Sequence, residues 1–255
     1  MPTITTFNCN GIRASLRKGL DQWIARRDPD ILCLQEVRAR PQDLGDWASR
    51  PAGRHACWHP AQRSGYSGVA IISRRRPDAV RRRFGDPIID GEGRWLEADF
   101  GLLTVVSLYL PSGTSGDERQ LIKYQVMAKV KRRMDRLLKG GRKVVIAGDF
   151  NIAHTERDIA NWRGNLKNSG FLPDERAWLG ALIDPGGWCD VFRKLDGRAG
   201  RYTWWSQRGS ARQRNVGWRI DYQFATPAMA RRAESVRIDK RPLLSDHAPL
   251  TVSYR

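Results

Sequence analysis

The sequence predicts a protein built of α/β or α+β layers, and three observations predict it. Short runs rich in Val, Ile and Leu recur along the 255 residues, each stopped by Gly, Pro or a polar pair, as buried strands are. Two stretches of helical periodicity, 14–26 and 118–139, lie between such runs. No low-complexity segment divides the chain, so residues 1–255 are expected to form one domain, long enough to bury a full core.

Taken in order, residues 3–7 alternate β-formers and stop at Asn8-Cys9-Asn10-Gly11, a strand followed by a polar turn. Leu16, Leu20, Trp23 and Ile24 set the apolar face of one helix over 14–26, with Arg17, Lys18, Arg26 and Arg27 opposite, and Pro29 ends it. Ile31-Leu32-Cys33-Leu34 is a continuous apolar run, a buried strand ending at Gln35-Glu36. Residues 37–64 are rich in Pro, Arg and His and read as irregular, apart from a short helix near 44–48. Gly65-Tyr66-Ser67-Gly68 leads into a strand over 69–72, and Arg74-Arg75-Arg76-Pro77 follows as a basic turn.

Segments 95–100 and 102–108 flank Gly101 as a hairpin whose second strand runs out into Tyr109-Leu110-Pro111. Ser115 and Glu118 have the spacing of a capping box for the long helix. That helix places Leu121, Tyr124, Met127, Val130, Met134, Leu137 and Leu138 on one face and ends at Gly140-Gly141. Val144-Val145-Ile146-Ala147 is the next buried strand, stopped by Gly148-Asp149-Phe150-Asn151. On an extended end, residues two apart point the same way, so Asp149 and Asn151 would address one atom while Phe150 enters the core. A helix over 174–183, an alternating strand over 219–224 and a last strand over 249–254 complete the chain.

Composition narrows the partner. Lys and Arg number 45 against 27 Asp and Glu, a net charge of +18, so a polyanion is the expected partner through counterion release and steering. Cys9, Cys33, Cys57 and Cys189 lie far apart without a C-x-x-C pair, which excludes the common zinc and redox motifs and predicts free thiols. The N-terminus has no charged segment followed by an apolar one, and no long uncharged apolar segment occurs, so a soluble, cytoplasmic protein is expected.

The chemistry lies in repetition. Asn8 and Asn10, Glu36, Tyr109, Asp149 and Asn151, Asp221, and Asp246-His247 all stand at or near predicted strand ends. Converging on one rim, they would gather four carboxylates and an imidazole, and clustered carboxylates repel unless a cation is present. Oxygen donors favour Mg2+ or Mn2+ over zinc. Taken singly, each has a plainer reading: Asp246-His247 as a turn, Glu36 as an exposed acid, Asp221 as the partner of Arg219.

The blocks Asn8-Cys9-Asn10-Gly11-Ile12-Arg13-Ala14, Leu34-Gln35-Glu36, Gly65-Tyr66-Ser67-Gly68, Tyr109-Leu110-Pro111, Gly148-Asp149-Phe150-Asn151, Gly217-Trp218-Arg219-Ile220-Asp221 and Ser245-Asp246-His247 occur in that order. Together they resemble the exonuclease III family of abasic-site endonucleases, within the endonuclease/exonuclease/phosphatase superfamily. The resemblance implies a four-layered α/β sandwich, two face-to-face β-sheets flanked by helices, that hydrolyses DNA phosphodiesters with a divalent metal. It implies Glu36 as the main metal carboxylate, with Asn8, Asn10 and Asp246 in or near the metal shell and Asp149, Asn151 and His247 beside it. Asp149 would activate water, Asn151 would bond the water or phosphate, and His247, oriented by Asp221, would meet the scissile phosphate. Tyr109 would donate to a phosphate oxygen or stabilise the leaving group.

Residues 197–220 hold six arginines and no acid, interleaved with Tyr202, Trp204, Trp205 and Trp218, a pattern suited to phosphate and to base or sugar faces. By resemblance, Trp204 and Trp218 would line a sugar pocket and Arg208 would enter the minor groove. Arg13, Lys18, Arg38, Tyr66, Arg94, Asn165 and Asn168 would follow the DNA backbone. The implied partner is double-stranded DNA with abasic sites or blocked or recessed 3′ ends. The implied enzyme is a monomer of bacterial type, held at the nucleoid through DNA. The loop Ser112-Gly113-Thr114-Ser115 has no basic residue to wedge into DNA, and Arg208 stands where some relatives place an apolar wedge. A 3′-end-processing exonuclease and phosphatase is therefore one alternative. A basic DNA-binding module without catalysis is another, as is a phosphatase of small or lipid phosphates. Arg74–Arg76 and Arg81–Arg83 match no motif and are expected to be solvated turns.

Overall fold

The computed structural model describes residues 2–255. Its strands are β1 (Thr3–Asn8), β2 (Ile31–Gln35), β3 (His55–His59), β4 (Val69–Ser73), β5 (Ala79–Arg81), β6 (Trp95–Phe100), β7 (Leu103–Tyr109), β8 (Lys143–Asp149), β9 (Cys189–Asp190), β10 (Trp204–Trp205), β11 (Gly217–Trp218), β12 (Asp221–Ala225), β13 (Ala233–Ile238) and β14 (Leu250–Tyr254). The helices are α1 (Ile12–Arg17), α2 (Leu20–Arg27), α3 (Pro87–Gly91), α4 (Asp117–Lys139), α5 (Pro173–Ile183), α6 (Val191–Leu195) and α7 (Pro227–Ala230).

Strand β10 pairs with β11 as a two-stranded sheet, and the other twelve strands form two six-stranded sheets, ordered β13-β14-β1-β2-β4-β3 and β5-β6-β7-β8-β12-β9. Between them lies a core of small and β-branched side chains, among them Ile4, Ile71, Val105, Val145 and Val252. Such side chains let two pleated faces approach closely. On the outer face of one sheet, Ile12 of α1 and Leu20, Trp23 and Ile24 of α2 cover Phe7, Leu32 and Leu34. On the other, α4 and α5 cover Val144, Ile146 and Phe224 with Val126, Val130, Met134 and Leu179. The result is the expected four-layered α/β sandwich. Strands buried on both faces explain why their sequences read as continuous apolar runs.

Several local expectations are corrected. The helix predicted over 14–26 is two helices, because Gly19 takes a left-handed φ of 94° between them. Gly116 starts α4 without a side-chain cap, so Ser115 and Glu118 form no capping box. Leu121 lies on the exposed face of α4, and Lys123 is buried in its place, its Nζ 2.6 Å from Glu175. The stretch read as irregular contains β3, which pairs along β4 from His55↔Ser73 to His59↔Val69. The basic segments are solvated as expected, Arg74, Arg75, Arg76, Arg82 and Arg83 being exposed, except that Arg81 ends β5 and bridges Glu97 and Asp99. All four cysteines are free thiols. Among the described residues, no helix is long and apolar enough to cross a membrane.

Candidate active site

Register places the site. Across one sheet Tyr109 on β7 pairs with Asp149 on β8, and Asp149 with Asp221 on β12, so three functional side chains stand in one row. In the facing sheet, Asn8 ends β1 beside Gln35 at the end of β2, and Glu36 follows. The two rims meet where Asn8 Nδ2 donates to both Glu36 Oε1 and Asp149 Oδ2, each at 2.8 Å.

Two turns of one design shape this floor. Asn10 N–H donates to Asn8 Oδ1 at 2.9 Å, and Asn151 N–H to Asp149 Oδ1 at 2.8 Å. In each Asx turn the later residue adopts positive φ, 44° at Asn10 and 52° at Asn151, which Asn tolerates better than most residues. The side-by-side projection expected from an extended Asp149-Phe150-Asn151 is thus corrected. The chain turns, Phe150 is buried as expected, and the Asn151 amide caps the Leu110 carbonyl at 2.8 Å. Glu36 also holds a left-handed φ of 50°, a strain of roughly 1–3 kcal/mol that persists where surrounding contacts fix it.

His247 closes the site from the turn before β14. Its Nδ1 lies 2.9 Å from Asp221 Oδ2 and its Nε2 3.8 Å from Asp149 Oδ2. Burial alone would lower this imidazole, but Asp221, Asp149 and Asp246 outweigh it and push His247 up to about 10. Those carboxylates favour its protonated form. Burial raises Asp149 to about 7, with Asp221 adding to the rise and His247 and the Asn8 amide opposing it. Burial, then Glu36, lifts the Tyr109 phenol well above its ordinary value, so it is a donor. Asp246 would also be raised by burial, yet His247 and hydrogen bonds from Asn10, Ser245 and the Trp204 indole hold it below the usual range.

A cavity of about 720 Å³ opens above these groups, lined by Glu36, Tyr109, Asn151, Asp246 and His247 on its floor and by Trp204 and Trp218 at one side. The two indoles meet edge to face with centroids 6.0 Å apart, held by pairing of β10 with β11. They line the cavity as expected, while Trp205 is buried, its Nε1 donating to Asn215.

The donor set fits a hard cation. Asp149, Asp221 and His247 cluster within a few ångströms of one another, and Asp221 Oδ1 is buried without a hydrogen-bond partner. Four carboxylates, those of Glu36, Asp149, Asp221 and Asp246, gather around His247, with the Arg38 guanidinium on Glu36 and Lys123 and Arg212 farther out. Apart from His247 the surrounding donors are carboxylate and amide oxygens, the set a hard divalent cation takes.

The residues expected along DNA divide. Arg13 and Lys18 are exposed on and just after α1, and Arg208 is exposed in the loop between β10 and β11. Asn165 and Asn168 share a surface turn through a 2.8 Å side-chain hydrogen bond. Arg94 is corrected: only 1 % exposed, it donates to the Tyr109 carbonyl at 3.1 Å and lies 4.7 Å from the Tyr109 ring centroid. It therefore supports Tyr109 from below. Tyr66 accepts from both Arg94 and Arg119 and is only part-exposed. Arg38 turns inward to Glu36, and Arg219 pairs with Asp158 and Asp190 rather than Asp221.

Sequence reasoning missed three supports. Thr203 Oγ1 accepts from the Asp221 N–H at 3.2 Å, Ser245 Oγ donates to Asp246 at 3.0 Å, and Lys123 donates to the Asn151 carbonyl at 2.8 Å. Only Lys123 carried a signal: it stands three, four and seven residues before Val126, Met127 and Val130, on the apolar face of α4.

An imidazole held between Asp221 and Asp149 at the floor of an acidic cleft, on a two-sheet α/β scaffold, is the arrangement of a hydrolase of phosphate esters. The chain belongs to the Endonuclease/Exonuclease/phosphatase family, whose model matches residues 5–247. It is 37% identical to the DNA repair nuclease APEX1 of Danio rerio over 254 residues, 98% of this chain and 81% of that protein. An AP endonuclease from Archaeoglobus fulgidus shares its fold with a TM-score of 0.91 at 28% identity, covering 100% of this chain and 99% of the other. The 3′ phosphatase NExo from Neisseria, solved with product DNA hairpin, matches with a TM-score of 0.89 at 29% identity over the whole of both chains. The chain is accordingly a hydrolytic enzyme of the nuclease type.

Proposed function

We propose that this protein is a DNA-repair phosphodiesterase that incises duplex DNA 5′ to abasic sites and also processes blocked or recessed 3′ ends. The observation that carries the reading is the Asp149–His247–Asp221 row beneath the Trp204–Trp218 wall. Asp149, raised toward neutrality by burial, takes the proton of the attacking water, and Asn151 orients that water. The imidazolium of His247 holds the phosphate and balances the charge that develops on it, with Asp221 fixing the ring. Tyr109, raised on Arg94, donates to a phosphate oxygen. Trp204 and Trp218 accept a sugar without a base, and Arg13, Lys18 and Arg208 follow the backbone. Glu36, with Asn8, Asn10 and Asp246 around it, would hold Mg2+ or Mn2+, which supplies neutralisation of the leaving 3′ oxygen.

One observation favours weight on 3′ ends. Ser112, Gly113 and Thr114 form a cavity wall with no cation, and a similar structure bears the name 3′ phosphatase. We propose further that the protein acts as a single-domain monomer in the cytoplasm, bound to chromosomal DNA. The reading is tested with an end-labelled duplex carrying an internal abasic-site analogue, beside the same duplex with a recessed 3′-phosphate, with Mg2+ and with chelator. Metal-dependent incision of the internal site supports it. Reaction only at the 3′ end makes the protein an end-processing enzyme, and no reaction leaves a DNA-binding module.

A further inference from the structure

Arg212 lies in the loop of residues 206–216 that carries Arg208, and the reaction as described gives Arg212 itself no part. Its guanidinium makes a two-pronged contact: Nη1 donates to the Ser245 carbonyl at 2.7 Å and Nη2 to the Lys240 carbonyl at 3.1 Å. The same group lies 4.6 Å from the centroid of the buried Trp205 indole. Lys240 closes the latch from the other side, its Nζ 2.9 Å from Asn215 Oδ1. The loop is otherwise held mainly by bonds to itself, such as Val216 N–H to the Ala211 carbonyl.

Ser245 is the first residue of the catalytic turn. Its hydroxyl donates to Asp246 and accepts from the His247 N–H at 3.3 Å, while Trp205 N–H donates to the Asp246 carbonyl at 3.2 Å. One guanidinium therefore joins the loop that presents Arg208 to the turn that presents His247. Resting on the DNA-nuclease reading, we propose that Arg212 is a positioning residue that makes seating of the Arg208 loop on DNA and alignment of His247 one event. Only a planar fork reaches two carbonyls while stacked on an indole, so Lys is not a substitute.

The test compares wild type with Arg212→Lys and Arg212→Gly. Single-turnover cleavage should fall by about 10²-fold, the usual effect of displacing a reacting group by about 1 Å. Affinity for the same duplex, measured with chelator, should change by less than about threefold, because Arg212 faces carbonyls rather than phosphate. Millimolar methylguanidinium should restore part of the Arg212→Gly rate, a rescue that general loss of structure would not show. In protein without DNA, the imidazole NMR signals of His247 should shift in Arg212→Lys. Parallel loss of affinity and rate, with a salt slope shallower by one phosphate contact, would make Arg212 a DNA contact and overturn the proposal. Unchanged rate and unchanged imidazole signals would overturn it equally. A wild type inactive on DNA, with the His247 shift intact, would defeat the nuclease reading and leave the link between loop and turn standing.

Discussion

The Asn8 side-chain amide donates to Asp149 Oδ2 at 2.8 Å and, with its other hydrogen, to Glu36 Oε1 at 2.8 Å. One neutral residue thus separates two carboxylates from different sheets and orients both. Replacing Asn8 by Ala removes both bonds and leaves the carboxylates facing each other. Turnover should fall by about 10–100-fold, the usual cost of removing a group that orients metal ligands, with a raised Mg2+ requirement. Titration of rate against Mg2+ measures this, and a variant within twofold of wild type at all concentrations would remove Asn8 from the site.

Asp149→Asn should abolish turnover, because an amide cannot take the proton of water, while DNA affinity stays close to wild type. Single-turnover kinetics and equilibrium binding on one duplex separate the two. Affinity lost in step with rate would show Asp149 to be structural.

His247 should remain protonated well above its ordinary range in the metal-free protein. Its folded value is raised to about 10, so the stability it contributes is complete below about pH 6.5 and is lost as pH rises through about 10. Melting temperature should therefore decline between pH 7 and 10 more steeply in wild type than in Asp221→Asn, which lacks the charge opposite Nδ1. Equal slopes would mean that Asp221 does not hold the proton.

How much of this was legible follows from where each side chain goes. Asn8, Glu36, Tyr109, Asp149 and Asp221 sit at ends of apolar runs, and buried strands place such ends on common rims, so their convergence could be read in advance. The inward turn of Arg94 could not, since arginine is ordinarily exposed and only the Tyr109 ring and carbonyl above it explain its burial. Likewise, β3 is Ala- and His-containing without clean alternation, and its partner β4 decides its conformation. The break at Gly19 interrupts a regular apolar face, so periodicity overrode a single glycine that tertiary packing uses as a hinge between α1 and α2.

Acid should unfold the protein through a cluster away from the active site. Arg219, fully buried, joins Asp158 at 2.7 Å and Asp190 at 2.8 Å, and Arg193 also meets Asp158. Burial alone would raise Asp158, but Arg219 and Arg193 outweigh it and hold its carboxyl far below the usual range. A carboxylate depressed on folding stabilises above its unfolded value near 4 and loses that contribution as pH falls further. The contribution of this cluster should thus be constant down to about pH 5 and fall away below about 4. Arg219→Met would leave Asp158 facing Arg193 alone and Asp190 without its partner, at a cost of about 3–5 kcal/mol. Urea unfolding at pH 7 and pH 3.5 measures both effects. The Arg219→Met loss should be larger at pH 7, because the variant gives up the pairing that depresses Asp158, and a loss independent of pH would assign it to packing against Phe192 and Tyr222 instead.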